Sequence, residues 1–370
     1  MADERASSAS RPRHALLAGG GSGGHVFPAL AIGDELARRG WRVTFAGDPR
    51  GMERRLVESR RLPFEALPAR PLVGRGPLAR LAALVTTAAS ALAARRLVRR
   101  LGIEVVIGTG GYASAPAVLG ARLAGRPALL VEPNAEPGAA NRWLSRWAQG
   151  AAVADEVAGR GLACPSEVTG VPIRDAFFAV PPLAAGAPAR LLVLGGSQGS
   201  KRLNELVPRA VGRARAELGG VTVLHQCGER WTAAARAEWD AAGLGAGEVE
   251  VAPFVADVPA AMAAASLVVS RAGAITLAEI AAAGRPSVLV PLEAAGGHQT
   301  ANARRFERAG AARRLAEREA TPERLAEWLV GLFADGAALA AMGCRARELA
   351  RPGAAAAIAD EVEALVERAA

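Results

Sequence analysis

The sequence is poor in aromatic side chains: one tyrosine, and 4% Phe, Trp and Tyr together, in 370 residues. Its arginines are dispersed and it carries no DNA- or RNA-binding motif, which argues against a nucleic-acid partner. Its three cysteines, Cys164, Cys227 and Cys344, have neither paired nor metal-ligand spacing. That argues against a disulfide framework or a thiolate metal site and fits isolated reduced thiols in a cytoplasmic protein. Met1 to Arg13 lack the apolar core of a signal peptide and read as a disordered tail, 1–13.

Apolar residues are abundant, at 51%. A chain of this length is too long for one ordinary core, so two domains are expected. The net charge of +9 and pI near 10.9 favour anionic partners, such as phosphorylated substrates or an anionic membrane surface.

Ser270 to Asn302 is the most informative stretch. Ser266 to Val269 reads as a short buried strand, and Ser270 to Gly273 breaks it. Ala274 to Ala283 is helix-forming and stops at Gly284; Ser287 to Val290 is the next strand. The loop of this βαβ unit lies at a strand's carboxyl end, where open α/β sheets bind ligands. Free backbone N–H groups at the helix start, with the helix dipole, suit a diphosphate. Glu279 lies about one and a half turns in, where a carboxylate can accept from both hydroxyls of a ribose. His298, Gln299 and Asn302 add polar side chains at the start of another helix, completing a candidate nucleotide-sugar pocket.

Earlier in the chain, His14 to Ala18 is a strand and Gly19 to Gly24 reads GGGSGG. A helix to about Arg39 follows, with Pro28 expected in its first turn, and then a strand from Trp41 to Ala46. Gly19, Gly21 and Gly24 fit G-x-G-x-x-G, a weak dinucleotide signal because such turns serve many phosphate ligands. His25 argues against a dinucleotide, since its imidazole would follow the last glycine into the ligand cleft. It reads equally well as a helix-cap histidine bonded to backbone. A second glycine loop, Gly108 to Ser114, follows the strand Glu104 to Ile107. Asn134, after the strand Ala128 to Val131, suits either a sugar hydrogen bond or a turn. Ala82 to Ala94 is uncharged but shorter than the roughly 20 residues that span a bilayer, and reads as a buried helix. The loop before it alternates Arg70, Arg75 and Arg80 with Leu72, Val73, Leu78 and Leu81, a pattern suited to an anionic membrane surface. Pro181, Pro182 and Pro188 mark an interdomain linker, after which Arg190 to Leu194 and Gly195 to Ser200 repeat the strand–glycine loop–helix pattern. Phe254, on its own, reads as core. The chain is expected to be helical beyond Thr321, broken at Arg351-Pro352-Gly353.

Six segments, in order and over roughly Gly20 to Asn302, carry a family resemblance: GGSGGHVFPALA (Gly20 to Ala31), GTGGYASAP (Gly108 to Pro116), EPNAEPGAANRWL (Glu132 to Leu144), GVPIR (Gly170 to Arg174), GGSQGS (Gly195 to Ser200) and SRAGAITLAEIAAAGRPSVLVP (Ser270 to Pro291). The chain resembles the family 28 glycosyltransferases that transfer N-acetylglucosamine from UDP-N-acetylglucosamine to lipid I in bacterial peptidoglycan synthesis. Departures from the family pattern are Val131 and Pro133 around Glu132 and Asn134, His298 where glutamine is common, and Ser22 in place of a threonine.

The resemblance implies an α/β GT-B fold: two Rossmann-like, doubly wound parallel-sheet domains facing a cleft, with a C-terminal helix crossing back to the first. The boundaries it suggests are 14–174 for an acceptor and membrane-facing domain, 175–189 for the linker, 190–351 for the UDP-sugar domain and 352–370 for the returning helix. It implies Glu279 on the donor ribose, Phe254 and Val255 on the uracil, and Ser197 with Ala274, Ile275, Thr276 and Leu277 on the diphosphate. Gln299 would reach the sugar, and Ser22, Gly23, Gly24, Asn134 and Arg174 would complete the donor site. Gly20, Gly21, Gly110, Gly111 and Tyr112 would hold the acceptor, undecaprenyl-pyrophosphoryl-MurNAc-pentapeptide. His25 is the candidate general base, and no metal or cofactor is implied. The setting implied is peripheral, on the cytoplasmic face of the cell membrane, with cell-wall and division proteins as further partners. A nucleotide-sugar epimerase, another GT-B glycolipid transferase and a non-catalytic binding module are the competing readings.

Overall fold

A computed structural model describes residues 12–21, 23–70, 76–293 and 297–369. Ser22, most of the expected N-terminal tail, and Leu72, Val73 and Arg75 lie outside the described residues. The chain divides into two compact units. One comprises Met1–Val131, Trp143–Ala151 and Ala356–Ala370; the other comprises Glu132–Arg142 and Ala152–Ala355.

The first sheet has seven strands: β1 (His14–Ala18), β2 (Arg42–Gly47), β3 (Phe64–Ala66), β4 (Val105–Gly108), β5 (Ala128–Glu132), β6 (Gly150–Val153) and β7 (Ser166–Val168). Their order is β3-β2-β1-β4-β5-β6-β7, and β3 to β5 pair in parallel. The second sheet has six: β8 (Arg190–Leu194), β9 (Thr222–Gln226), β10 (Val249–Ala252), β11 (Leu267–Ser270), β12 (Ser287–Leu289) and β13 (Ala312–Arg314). Its order is β10-β9-β8-β11-β12-β13, with every neighbouring pair parallel. In each sheet the order reverses beside the first strand, between β1 and β4 and between β8 and β11. The connections on either side of such a switch point leave in opposite directions and open a crevice at the carboxyl ends.

The helices that border these crevices are α1 (Gly23–Arg38), α2 (Met52–Ser59), α3 (Pro77–Leu101) and α4 (Ser114–Ala124) beside the first sheet. Beside the second they are α5 (Lys201–Arg213), α6 (Thr232–Ala241), α7 (Ala274–Ala283) and α8 (His298–Arg308). A last helix, α9 (Ala354–Ala369), closes the chain. The second sheet is buried on both faces, as crossover helices require. Leu191, Val193, Leu267 and Val269 pack with Leu203, Leu206 and Val207 of α5. Their neighbours Leu192, Leu194 and Val268 turn the other way, to Leu277 and Ile280 of α7.

Three differences from the sequence reading have physical causes. Helix α1 starts at Gly23, so Pro28 lies inside it rather than in its first turn, and has no N–H to give the carbonyl four residues back. The three-residue strands β3 and β13 were not expected; β13 reads Ala-Arg-Arg and has no apolar run to announce it. Helix α3 is longer than its uncharged centre. Its segment Leu81–Leu101 has mean hydropathy 1.4 and is long and apolar enough to cross a membrane by length and composition. One face is buried through Ala83, Ala91, Ala94 and Val98, and a Cβ on Gly120 of α4 would lie 2.4 Å from that of Ala94. The other face exposes Leu78, Leu81, Leu84, Val85 and Leu92.

Candidate active site

In the second unit the loops after β8 and β11 flank the switch point. Gly199 has φ +70°, and a Cβ there would lie 1.9 Å from the Cys227 carbonyl oxygen, so only glycine fits. Ser197 is exposed at the tip of this loop. Ser200 closes it, its Oγ accepting from Leu203 N (3.3 Å) as the cap of α5 and from Arg271 Nε (3.0 Å). Arg271 also donates to the Val290 carbonyl and pairs with Glu317 at 2.6 Å, and so locks the two loops to each other.

Helix α7 has no side-chain cap: Gly273 precedes it in an extended conformation. Its first N–H groups, from Ala274, Ile275 and Thr276, are those an α-helix leaves unbonded, and all three residues are partly exposed. Leu277 differs: its N–H donates to Gly273 O (3.0 Å) and its side chain is in the core. Glu279 is partly exposed, yet burial pushes its carboxyl up to about 7, against the opposing pull of the Arg174 guanidinium. Arg174 is itself exposed, its guanidinium 5.1 Å from the centre of the Phe177 ring. Phe254 is 56% exposed and so is not the core residue its sequence context suggested. Val255 beside it is buried.

On α8, the Gln299 Oε1 accepts from Ala272 N (3.2 Å) and Leu292 N (2.9 Å). With its oxygen held by two donors, the amide presents its NH₂ as the group left for a ligand. Asn302 is buried and structural: it donates to Ala272 O and Asn134 Oδ1 and accepts from Ala135 N. Asn134 also donates to Glu132 Oε1 at 2.8 Å. The sequence reading gave Glu132 no role. Buried, it gathers Asn134, the Gly138 N–H and Asn141 and so builds the Asn134 turn. A carboxylate two residues before an asparagine in a Pro- and Gly-rich turn was the available signal.

In the first unit both glycine loops leave the switch point. A Cβ on Gly111 would lie 2.3 Å from Gly20 O, and one on Gly21 would lie 3.0 Å from the Tyr112 ring. Gly20, Gly21, Gly111 and Tyr112 are therefore brought together, with Gly110 (φ +99°) in the same turn. His25, in the first turn of α1, bonds through Nδ1 to the Thr109 carbonyl at 3.0 Å. A carbonyl only accepts, so Nδ1 carries the proton and Nε2 is the basic nitrogen of the neutral ring. The backbone bond and the catalytic reading thus coexist. Glu53 is the feature the sequence reading missed. Its carboxylate, buried under the loop, accepts from Gly21 N (3.3 Å) and Asp48 N (3.0 Å). It occupies the space that a side chain on Gly20 or Gly51 would need. The Gly21 N–H is thus already engaged.

Two parallel sheets, each with glycine loops at its switch point, and an uncapped helix start beside a partly exposed glutamate define the GT-B class of glycosyltransferases. The chain belongs to glycosyltransferase family 28: the patterns of the family's N-terminal and C-terminal domains match residues 15–153 and 190–358. It is 44% identical to the UDP-N-acetylglucosamine–N-acetylmuramyl-(pentapeptide) pyrophosphoryl-undecaprenol N-acetylglucosamine transferase of Sorangium cellulosum, over 94% of this chain and 87% of that protein. The protein of the same name from Solibacter usitatus is 41% identical, over 94% and 95%. The crystal structure of Acinetobacter baumannii MurG superposes with a TM-score of 0.79 at 33% identity, covering 95% of this chain and 99% of that one. The glycotransferase of kitacinnamycin shares the fold at 21% identity and a TM-score of 0.68.

Proposed function

We propose that this chain transfers N-acetylglucosamine from UDP-N-acetylglucosamine to the 4-hydroxyl of the muramoyl sugar of undecaprenyl-pyrophosphoryl-MurNAc-pentapeptide, forming a β-1,4 bond with inversion. The observation that carries this reading is the near-full-length identity of 41–44% to proteins named as N-acetylglucosamine transferases acting on N-acetylmuramyl-(pentapeptide) pyrophosphoryl-undecaprenol. The open start of α7, with Glu279 behind it, supports the donor half. The second unit holds the donor: Glu279 takes the ribose hydroxyls, Phe254 and Val255 the uracil, and Gln299 the sugar hydroxyls. Ala274, Ile275 and Thr276, with Ser197, take the diphosphate. As the anomeric bond breaks, negative charge grows on UDP. Fixed N–H dipoles at the helix start and the Arg174 cation stabilise it without reorganising. The first unit carries the acceptor groups. His25 Nε2 removes the proton from the attacking hydroxyl, and Gly20, Gly110, Gly111 and Tyr112 hold the acceptor's pyrophosphate. The bared apolar face of α3 rests on an anionic membrane surface, which makes the enzyme peripheral on the cytoplasmic side.

Turnover of UDP-N-acetylglucosamine with and without a lipid I analogue tests this, by UDP release and product mass. UDP release that requires the acceptor, and one N-acetylhexosamine added to the lipid, is the expected result. Donor consumption or a free epimer without acceptor would establish the epimerase instead.

A further inference from the structure

Thr109 follows β4, is fully buried, and has all three of its polar groups bonded. Its N–H donates to the Ala18 carbonyl (2.9 Å) at the end of β1, and its own carbonyl accepts from His25 Nδ1 (3.0 Å). Its Oγ1 donates to the His25 carbonyl at 2.8 Å. Thr109 and His25 therefore bond each other twice, once at the ring and once at the main chain. The space around the pair is matched to it. A Cβ on Gly19 would lie 1.9 Å from Thr109 Oγ1, and one on Gly111 would lie 3.0 Å from His25 Cδ2. A side chain at Gly19 would displace the hydroxyl, and one at Gly111 would press on the ring.

The two bonds have different effects. The one to Nδ1 sets the tautomer and leaves Nε2 basic. It comes from the main chain, so any residue at this position could supply it. The second needs a hydroxyl. His25 lies in the first turn of α1, and the Thr109 hydroxyl fixes the main chain of that turn against the carboxyl ends of β1 and β4. With backbone and ring both tethered to one residue, the place of Nε2 beside the second glycine loop is set. A methyl group cannot come as close to a carbonyl oxygen as a hydroxyl does. Valine at this position would push the first turn of α1 off the loop by roughly half an ångström, since C–H···O contacts hold carbon and oxygen about 3.3 Å apart or more.

We infer that Thr109 is a positioning residue for the proton transfer: its hydroxyl holds His25 in place, and it touches neither donor nor acceptor itself. This rests on the reading of His25 as the base. A misplacement of 1 Å costs a reaction about 10²-fold, so a shift of half that should cost about tenfold. Nucleotide binding has no share in the effect. Thr109 belongs to the first unit, and the residues proposed for the ribose and the uracil belong to the second.

A double-mutant cycle on acceptor-dependent turnover tests the inference. Thr109→Val and Thr109→Ser are each measured in the wild-type and His25→Ala backgrounds, with donor KM beside kcat. In the wild-type background Thr109→Val should lower kcat about tenfold and leave donor KM within about twofold, and Thr109→Ser, which keeps the hydroxyl, should recover most of the loss. In the His25→Ala background Thr109→Val should cost less than about twofold more, because the group it places is gone. Equal losses in both backgrounds, or a Thr109→Ser as slow as Thr109→Val, would reduce Thr109 to a packing residue and overturn the inference. If Thr109→Val does not melt cooperatively, Thr109→Ala takes its place in the cycle. It sets no methyl against the carbonyl, so a loss of about threefold that vanishes without His25 is expected, and a loss of equal size in both backgrounds overturns the inference. Near-normal turnover in His25→Ala itself would sink the base reading, and the positioning role with it.

Discussion

Glu279 has a carboxyl whose pKa lies near the pH at which the protein would work, so its role is open to titration. Burial holds the free protein's carboxyl at about 7, above the ordinary value of 4.5. Ribose hydroxyls donate, so the form that takes both of them is the carboxylate. Below pH 7 most molecules must first release a proton, and donor binding is weakened by that cost; above it the cost vanishes. Donor affinity should therefore rise as pH is raised from about 6 to 8, and Glu279→Gln should bind about tenfold or more weakly with a flat profile. Titrating UDP-N-acetylglucosamine at several pH values checks this, and a parallel slope in wild type and Glu279→Gln would assign the titration to another group. His25 makes a complementary case. If its Nε2 takes the hydroxyl proton, His25→Ala should lower kcat by about 10²- to 10⁴-fold and change the donor Kd only a few-fold, because the residues proposed for the ribose, the uracil and the sugar hydroxyls belong to the other unit. Near-normal turnover would remove His25 from the mechanism. At this scale the sequence showed residue types but not their hydrogen-bond states. Glu279 and Gln299 were legible because they stand at fixed offsets from a helix start. Glu53 was not, because it bonds the Gly21 N–H, which lies 32 residues away and which only the folded loops bring within reach; Glu132 bonds N–H groups of its own turn, whose composition was its one signal.

Among the elements, α3 has the least settled surroundings. Its buried face is small and close-packed, while Leu78 is 83% exposed, with Leu81, Leu84, Val85 and Leu92 also exposed. A contiguous bare apolar stripe costs solubility unless something covers it. Arg96 and Arg99, exposed near its carboxyl end, would meet anionic headgroups, while Arg100 is paired with Glu65. The triple variant Leu81→Glu, Leu84→Glu and Val85→Glu removes three apolar side chains worth roughly 1.5–3 kcal/mol each when fully buried. Its partition onto anionic vesicles should fall by tenfold or more, while turnover of a soluble, short-chain acceptor persists. Equal vesicle binding by wild type and variant would place the membrane contact elsewhere. Elements were the most legible scale. Continuous apolar runs such as Leu191 to Leu194 announce buried parallel strands, and Gly284, at φ +61°, stops α7 where the sequence suggested. The short edge strands β3 and β13 lacked that signal, and the uncharged core of α3 understated its length because arginines also sit well in helices.

For the whole molecule, the informative fact is that one compact unit is made from both ends of the chain. Residues Ala356–Ala370 belong with Met1–Val131. Helix α9 buries Ile358, Ala359, Val362, Leu365 and Val366. It is also fastened by charge: Arg39 reaches Asp360 at 2.6 Å and Glu363 at 3.0 Å, and the Trp41 indole donates to Glu363. Apolar burial of Ile358, Val362, Leu365 and Val366 alone represents several kcal/mol, a large share of the stability of a domain. Apart from Ser22, Gly23 and Gly24, the residues proposed for the donor lie in the second unit, from Asn134 to Gln299. Deleting Ala354–Ala370 should therefore separate the two halves of the function. The first unit should melt lower by about 10 °C or more, and acceptor-dependent turnover should collapse with it. UDP binding should remain within a few-fold of wild type, because α7 and the glycine loop after β8 keep their packing. Differential scanning calorimetry with UDP titration reads both consequences in one protein. A single melting transition, lowered as a whole and accompanied by loss of UDP binding, would show that the second unit cannot hold its donor site unless the first is folded. A split into two transitions, with only the upper one raised by UDP, would show that the nucleotide site is a self-sufficient property of the second unit.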